Sequence, residues 1–221
     1  MSTALYTASR AGTRFVLRLT MRHVVLDADR AACPGGFILA ATHIGNVEAV
    51  VLSAVLDVPI RWMVRVEYFR RGWAASLLRT FGAFPVDRFG SALPAVRTAV
   101  RLAGAGECVG IFPEGFVAHG GHSLLRGGAV KGGACTVSIA TGLPIVPVIV
   151  IGTERLNRVW PWLPTRQGRL WTAFGNRVFP PERSLSRRAD RAEMLGRLHA
   201  EFLRTYRDML ARCGLTDAAV P

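Results

Sequence analysis

The sequence predicts an α/β fold with a mainly parallel central sheet, flanked by helices and preceded by an N-terminal amphipathic, membrane-associating helix. Two observations support this prediction. From residue 22 onward, short apolar runs of strand length alternate with longer helical patterns. Half of the 221 residues are hydrophobic, which is enough for one substantial core. We therefore divide the chain into the N-terminal helix, residues 1–22, and one domain, residues 23–221.

The N-terminal helix is predicted over residues 4–21, which contain no proline and one glycine. Four arginines recur at intervals of four residues and so share one face of the helix: Arg10, Arg14, Arg18 and Arg22. A basic stripe beside an apolar face is typical of a helix that lies in the lipid interface. The alternative is an ordinary surface helix that packs on the domain.

The remaining elements follow from the alternation of apolar runs and helical patterns. Strands are predicted at 23–26, 37–41, 60–66, 83–86, 108–112, 145–151 and 170–174. Helices are predicted at 47–56, 70–80, 93–103, 129–141 and 187–212. Asn46 and Ser186 are suitable N-caps for the first and last of these helices, and Gly142 is a suitable end for the fourth.

The charge balance narrows the class of partner. Lysine and arginine number 28 against 15 acidic residues, a formal net charge of +13, and the mean hydropathy is +0.28. This excess attracts polyanions, and the apolar content favours a membrane surface over nucleic acid. No apolar run reaches the roughly 20 residues that span a bilayer, and arginines interrupt any secretory signal. We therefore expect a peripheral protein on the cytoplasmic face of the cell membrane, with its four cysteines reduced.

The segment 42–48, T-H-I-G-N-V-E, places a histidine five residues before a carboxylate, directly after a predicted strand. A histidine accepts a proton near neutral pH, and a carboxylate orients its ring and stabilises the imidazolium. Glu48 falls in the first turn of a predicted helix, where the helix dipole favours its ionised form. Taken alone, His43 and Glu48 also fit a solvated loop and an ordinary helix start.

Three further blocks follow in order. They are G-A-F-P-V-D-R at 82–88, F-P-E-G at 112–115 and L-P-I-V-P-V at 143–148. The planar fork of Arg88 suits phosphate, and Lys131 before two glycines offers a charge and backbone donors to an anion. Sites in parallel sheets lie at the carboxyl ends of strands, so we expect His43 and Glu114 to meet there.

The order and spacing of the four blocks resemble the glycerolipid acyltransferase family, whose best-known member is 1-acylglycerol-3-phosphate acyltransferase (PlsC type). The resemblance covers residues from about 37 to 152. It implies that His43 of the HX4E motif is the general base and that Glu48 orients it. The substrate-binding residues that it implies are Arg88, at the acceptor's phosphate, with Glu114, Gly115 and Lys131.

The implied reaction moves a fatty acyl group from acyl-CoA or acyl carrier protein to the hydroxyl of a lysophospholipid, with 1-acylglycerol-3-phosphate as the expected acceptor. Residues 23–221 are then an acyltransferase domain. The implied partners are the lysophospholipid, the acyl thioester as co-substrate, an anionic membrane surface and, as one possible donor, acyl carrier protein; no cofactor, metal or nucleic acid is implied. Backbone amides near Gly45 and Gly115 are candidates for stabilising the oxyanion.

Some positions depart from the family pattern. Glu48 replaces the usual aspartate, as in lipid A lauroyl-type acyltransferases, and Thr42 replaces a frequent asparagine. After Gly115 the family has Thr or Ser and then arginine, whereas here Phe116 is followed by valine and alanine. This difference leaves open another lipid alcohol as acceptor, such as a glycolipid or a lipid A-like molecule. A non-catalytic basic protein that binds membranes or nucleic acid is a further alternative.

Two other features carry no assigned chemistry. His119 and His122 lie in a glycine-rich segment without further metal ligands, and we expect them on the surface. Residues 153–169 contain Trp160 and Trp162 among four arginines. These tryptophans either touch lipid headgroups or pack back on the core.

Overall fold

Seven strands form one sheet in the order β1-β7-β6-β2-β5-β3-β4. The computed structural model describes residues 3–70, 72–153, 168–182 and 186–216. The strands are β1 (Met21–Leu26), β2 (Phe37–Ala41), β3 (Ile60–Arg65), β4 (Phe84–Val86), β5 (Cys108–Ile111), β6 (Ile145–Ile151) and β7 (Gly168–Phe174). The helices are α1 (Thr3–Thr20), α2 (Glu48–Val55), α3 (Gly72–Thr80), α4 (Leu93–Gly104), α5 (Gly133–Thr141) and α6 (Arg187–Cys213).

Five neighbouring strands, β2 to β6, run in one direction, which confirms the mainly parallel sheet. β7 pairs antiparallel with β6, and β1 pairs parallel with β7, so these two strands run the other way. The carboxyl ends of five strands therefore meet at one edge of the sheet, which we call the catalytic edge. The loops that carry the predicted site residues leave the sheet there.

Two apolar layers cover the two faces of the sheet. Along β2, Ile38 and Ala40 join the layer formed with α4, α5 and α6, whereas Phe37 and Leu39 join the layer formed with α2. This division follows from the alternation of side chains along a strand. β2 is buried on both faces, as central parallel strands are. The buried centre of the sheet gives the loop after β2 a rigid base.

Two predicted details of the helices were wrong. The helix predicted from residue 129 begins at Gly133, because the Lys131 N–H donates to the Pro113 carbonyl at 2.8 Å and holds the preceding residues out of the helix. Asn46 is not the N-cap of α2; Val47 occupies that position without a side-chain cap. Ser186 does cap α6, accepting the Ala189 N–H at 3.2 Å.

The arginine stripe of α1 faces the protein where it passes α2. Arg10 donates to the Leu56 carbonyl at 3.3 Å, and Arg14 donates to the Val55 carbonyl at 3.0 Å and forms an ion pair with Asp57. Cations are favoured at a helix C-terminus, where carbonyls lack intrahelical partners. Arg10 and Arg14 therefore contact the domain, as in the packed-helix alternative, and the membrane association of α1 stays a prediction. Arg18 is exposed.

The outer side of α1 is apolar, since Phe15 and Leu19 are each 64% exposed. None of the described helices combines the length and the apolar character of a bilayer span. The expectation about Trp160 and Trp162 concerns residues outside the described part of the chain, so their contact with headgroups stays a prediction. The division of the chain near residue 22 likewise stays a prediction; α1 passes directly into β1 there.

Candidate active site

His43 and Glu48 meet at the catalytic edge. The loop after β2 turns so that His43 Nδ1 lies 3.3 Å from Glu48 Oε2. An ionised carboxylate only accepts hydrogen bonds, so this contact assigns the proton to Nδ1 and leaves Nε2 as the basic nitrogen. The imidazole is 21% exposed and the carboxylate is fully buried. The pair thus presents one nitrogen to a ligand and keeps its acid away from water.

Three further donors hold the buried carboxylate of Glu48. Its Oε1 accepts the Ile44 N–H at 3.1 Å, the Gly45 N–H, and the Thr153 hydroxyl at 2.6 Å. Burial raises the pKa of Glu48, but the hydrogen bonds from His43 and Thr153 outweigh it, so the pKa lies below its usual range. Glu48 is therefore ionised at neutral pH, ready to stabilise an imidazolium.

Glycine is needed at position 45 because the loop after β2 lies in close contact with the segment after β6. A Cβ on Gly45 would lie 2.8 Å from Thr153 Oγ1 and 2.9 Å from the Thr153 carbonyl carbon. Any side chain at this position would push Thr153 away from Glu48. The contact ties the end of β6 to the loop after β2.

An aromatic stack supports the imidazole on one side. The ring of Phe112 lies 4.2 Å from that of His43, at an interplanar angle of 20°, and 4.9 Å from that of Trp62, at 13°. Phe112 directly follows β5 and Trp62 lies in β3. The stack limits rotation of the His43 ring and connects it to the apolar layer on the α2 side.

Glu114 lies beneath the site and braces it. Its Oε2 accepts the His43 N–H at 2.6 Å, and its Oε1 accepts the Leu124 N–H at 3.0 Å. The side chain is 1% exposed, and burial raises the pKa of this carboxyl against the effect of those N–H groups. In the described structure Glu114 therefore holds the loop after β2, and its contact with the acceptor stays a prediction. The sequence did correctly bring Glu114 next to His43.

Lys131 and Gly115 lie together at the turn after β5. Gly115 has a φ of +77°, a backbone conformation that favours glycine. A Cβ there would also lie 2.5 Å from Lys131 Nζ, which leaves no room for a side chain. The ammonium also lies 5.7 Å from the centroid of the exposed Phe116 ring. Lys131 thus places a positive charge beside the turn that carries Glu114.

The N–H groups of Gly45 and Gly115 themselves donate within the protein. The Gly45 N–H donates to Glu48, and the Gly115 N–H donates to the Phe112 carbonyl at 3.0 Å. For other amides near these glycines, the role in stabilising an oxyanion stays a prediction.

Arg88 lies near a second arginine at the ends of β3 and β4. Arg65 is the last residue of β3 and pairs in register with Val86 of β4, two residues before Arg88. Burial and the neighbouring Arg65 guanidinium lower the pKa of Arg88. Within the described part of the chain, the buried Nε atoms of Arg65 and Arg88 have no hydrogen-bond partner. Arg65 also donates to the Glu67 carboxylate at 3.2 Å, so the two guanidiniums share one acid and keep donors for a further anion.

Sequence reasoning missed Arg65, Phe112 and Thr153. All three lie at or directly after the carboxyl end of a strand: β3, β5 and β6. The rule that sites lie at the carboxyl ends of parallel strands, which placed His43 and Glu114 at the catalytic edge, also applies to these three residues. The sequence does not show the direction in which each side chain points. The hydrogen bond from Thr153 to Glu48 joins residues that are 105 positions apart in the chain.

We expect Thr153→Val to lower the free energy of unfolding by about 1–3 kcal/mol, because a buried acceptor loses its donor. A carboxyl whose pKa is lowered by folding stabilises the fold above its unfolded pKa, and this stabilisation is lost as pH falls through the folded pKa. The variant moves the folded pKa of Glu48 up toward its unfolded value, so the loss of stability on acidification should be smaller and should be complete at a higher pH. Urea unfolding over a pH series measures this shift.

Thr153→Ser is the matched control, because it keeps the hydroxyl and should retain the pH profile of the wild type. An unchanged profile in Thr153→Val would contradict the assigned contact.

The chain is similar in sequence to known acyltransferases. A 1-acyl-sn-glycerol-3-phosphate acyltransferase of Bacillus subtilis (strain 168) is 33% identical over 129 residues, 58% of this chain and 62% of that protein. A chloroplastic 1-acyl-sn-glycerol-3-phosphate acyltransferase of Brassica napus is 33% identical over 87 residues, 38% of this chain and 23% of that protein. The aligned part therefore spans less than two thirds of either relative.

The fold has a solved counterpart. The crystal structure of the 1-acyl-sn-glycerophosphate (LPA) acyltransferase PlsC from Thermotoga maritima superposes with a TM-score of 0.67 over 90% of this chain and 78% of that chain, at 18% identity. This likeness supports the α/β fold. The model of the family described as Acyltransferase matches residues 23–151, more than half of the chain, and that range contains His43, Glu48 and Arg88. The chain belongs to the Acyltransferase family.

Proposed function

We propose that this protein is a 1-acylglycerol-3-phosphate O-acyltransferase that works by general-base catalysis at His43. The observation that carries the proposal is the 3.3 Å contact between His43 Nδ1 and a fully buried, ionised Glu48. With Nδ1 donating to Glu48, Nε2 of the partly exposed imidazole is the nitrogen that would accept the proton. The family and the relatives' activities support the reaction class.

In the proposed reaction, His43 Nε2 takes the proton of the acceptor hydroxyl as its oxygen attacks the thioester carbonyl carbon. A C–O bond forms, and the tetrahedral intermediate collapses with cleavage of the C–S bond. The imidazolium, stabilised by Glu48, then gives its proton to the leaving thiolate. The products are an ester and a free thiol of CoA or acyl carrier protein. General-base assistance of this kind contributes about 10²–10⁴ in rate.

The phosphate of the acceptor is proposed to bind between Arg65 and Arg88, with Lys131 as a further cation near the reacting atoms. Glu67 already accepts one hydrogen bond from Arg65 at 3.2 Å, and a phosphate would bind the Nε donors of Arg65 and Arg88 that lack a partner. Arg65 ends β3, the strand next to β5, and Gly115 follows β5 where family members carry their arginine. Arg65 would supply the positive charge that is missing after Gly115, where phenylalanine, valine and alanine follow.

The acyl chain of the thioester is proposed to occupy an apolar cavity of about 300 Å³ between α1, α2, α3 and β3. Trp62 lines this cavity and also stacks on Phe112, which supports His43. Tyr6 of α1 closes the other end, where its hydroxyl accepts the Ile60 N–H at 3.2 Å. The cavity therefore extends from the catalytic stack to α1, as a chain-binding pocket should.

Lipid substrates and the net charge of +13 support peripheral attachment to the cytoplasmic membrane face. A second candidate acceptor is another lipid alcohol, favoured by Phe116 at the place of a polar residue. A screen of lysolipid acceptors with one radiolabelled thioester separates the two by the identity of the product.

His43→Ala should lower kcat about 10²–10⁴-fold, because the proton acceptor is lost. Thiol release from acyl-CoA in the presence of lysophosphatidic acid measures this. His119→Ala is the matched control, since that histidine is exposed in the loop after β5, and it should turn over like the wild type. Near wild-type turnover in a folded His43→Ala variant would falsify the assigned base.

Arg65→Ala and Arg88→Ala should each raise KM for a phosphorylated acceptor about tenfold or more while leaving KM for the thioester within about twofold. Initial rates with each substrate varied in turn give both constants. Arg79→Ala, an exposed arginine of α3, should change neither. An equal effect on both substrates, or equal use of an unphosphorylated acceptor by the wild type, would contradict the phosphate role.

Ser9→Phe should shift preference toward shorter thioesters by about tenfold, because the ring fills part of the cavity and each displaced methylene loses a contact. Competition between a long and a short acyl-CoA measures the ratio of kcat/KM values. Ala8→Phe is the control: Ala8 is exposed on the same helix and does not line the cavity. An unchanged preference in Ser9→Phe would place the chain elsewhere.

A further inference from the structure

The structure also indicates which surface meets the lipid. We propose that the protein docks on an anionic bilayer through a patch beside the catalytic edge formed by Tyr68, Arg70, Trp73 and Phe89, here called the mouth patch. This inference rests on the proposed function only in taking the substrates to be lipids. It differs from the expectation that the arginine stripe of α1 makes the contact.

The mouth patch presents large aromatic side chains that nothing in the described part of the chain covers. Phe89 is 86% exposed and Trp73 is 76% exposed, and Tyr68 is exposed as well. Side chains of this size are usually buried, so several together mark an interaction surface. Tryptophan and tyrosine prefer the membrane interface, where a ring meets both apolar chains and water.

The aromatic side chains project from ordered turns. Tyr68 and Arg70 lie in a short 3-10 helix, Val66–Arg70, that follows β3. Phe89 lies in a turn after β4, where the Asp87 carboxylate accepts the Phe89 N–H at 3.0 Å and the Gly90 N–H at 2.8 Å. A fixed turn inserts a side chain at little entropic cost.

The two turns lie side by side and carry positive charge. The N–H groups of Gly90 and Phe89, with a contribution from the Arg70 guanidinium, lower the pKa of Asp87. Tyr68 is likewise close enough to Arg88 to influence its pKa. The pairing of Arg65 with Val86 also makes the segments that follow β3 and β4 neighbours, so the exposed Arg70 lies on the same side as Tyr68 and Phe89, where it complements anionic headgroups. Arg88 links the patch to the proposed phosphate site.

The rival surface is the outer side of α1. Phe15, Leu19 and Arg18 are exposed there, but Arg10 and Arg14 are bound to the end of α2, and the described residues of α1 carry no exposed tryptophan or tyrosine. The mouth patch combines aromatic rings and an exposed cation beside the entrance to the site. A lipid acceptor leaving the bilayer at this patch reaches Arg65 and Arg88 directly.

The test is co-sedimentation of the full chain with sucrose-loaded vesicles of phosphatidylglycerol and phosphatidylcholine in equal amounts, and with phosphatidylcholine alone. Trp73→Ser/Phe89→Ser should lower affinity for the anionic vesicles about tenfold or more, and Arg70→Ala about fivefold. Phe179→Ser is the control: Phe179 is exposed next to Val178, which pairs with Ile145 at the opposite edge of the sheet. It should bind like the wild type.

Unchanged vesicle binding by Trp73→Ser/Phe89→Ser overturns the proposal, as does a loss confined to Phe15→Ser/Leu19→Ser. Activity on a short-chain lysophosphatidic acid, measured without vesicles, tests acyl transfer independently of membrane binding. Trp73→Ser/Phe89→Ser should retain this activity. If the wild type lacks that activity but its vesicle binding still depends on Trp73 and Phe89, the acyl-transfer proposal fails and the mouth patch is supported.

Discussion

The site depends on one buried carboxylate. Glu48 is removed from water, and a bare charge in that position would be strongly unfavourable. Its donors come from its own loop, from His43 and from the end of β6. These contacts keep Glu48 ionised and fix the imidazole at the same time. The chemical state of His43 is therefore set by the packing of loops that are remote from each other in sequence.

The sequence predicted the seven strands and the edge at which the site lies. Apolar runs mark strands, and parallel strands bring their carboxyl ends together, so His43 and Glu114 could be placed side by side. The brace formed by Glu114 could not be foreseen. Whether a carboxylate faces a ligand or a backbone N–H depends on how two loops pack, and the spacing of residues carries no such information.

The direction of β1 and β7, opposite to the other five strands, and the orientation of α1 could not be predicted from the sequence either. Periodicity states which residues share a face of a helix, but not which face is turned inward. Arg10 and Arg14 share a face, and the carbonyls at the end of α2 bind that face. Burial of long basic side chains against carbonyls is favourable when every donor finds an acceptor. The helix consequently exposes Phe15 and Leu19, and it also forms one wall of the apolar cavity.

The loss of the family arginine after Gly115 does not by itself remove phosphate recognition. On the proposed acceptor site, Arg65 supplies the second guanidinium from the end of β3, the strand next to the one that leads into the altered turn. The physical requirement is two donors at phosphate distance, whatever element carries them. Arg65 donates to Glu67 at 3.2 Å, while the buried Nε atoms of Arg65 and Arg88 have no hydrogen-bond partner in the described part of the chain. On this proposal, the charge at the ends of β3 and β4, rather than the residues that follow Glu114, decides which acceptor binds.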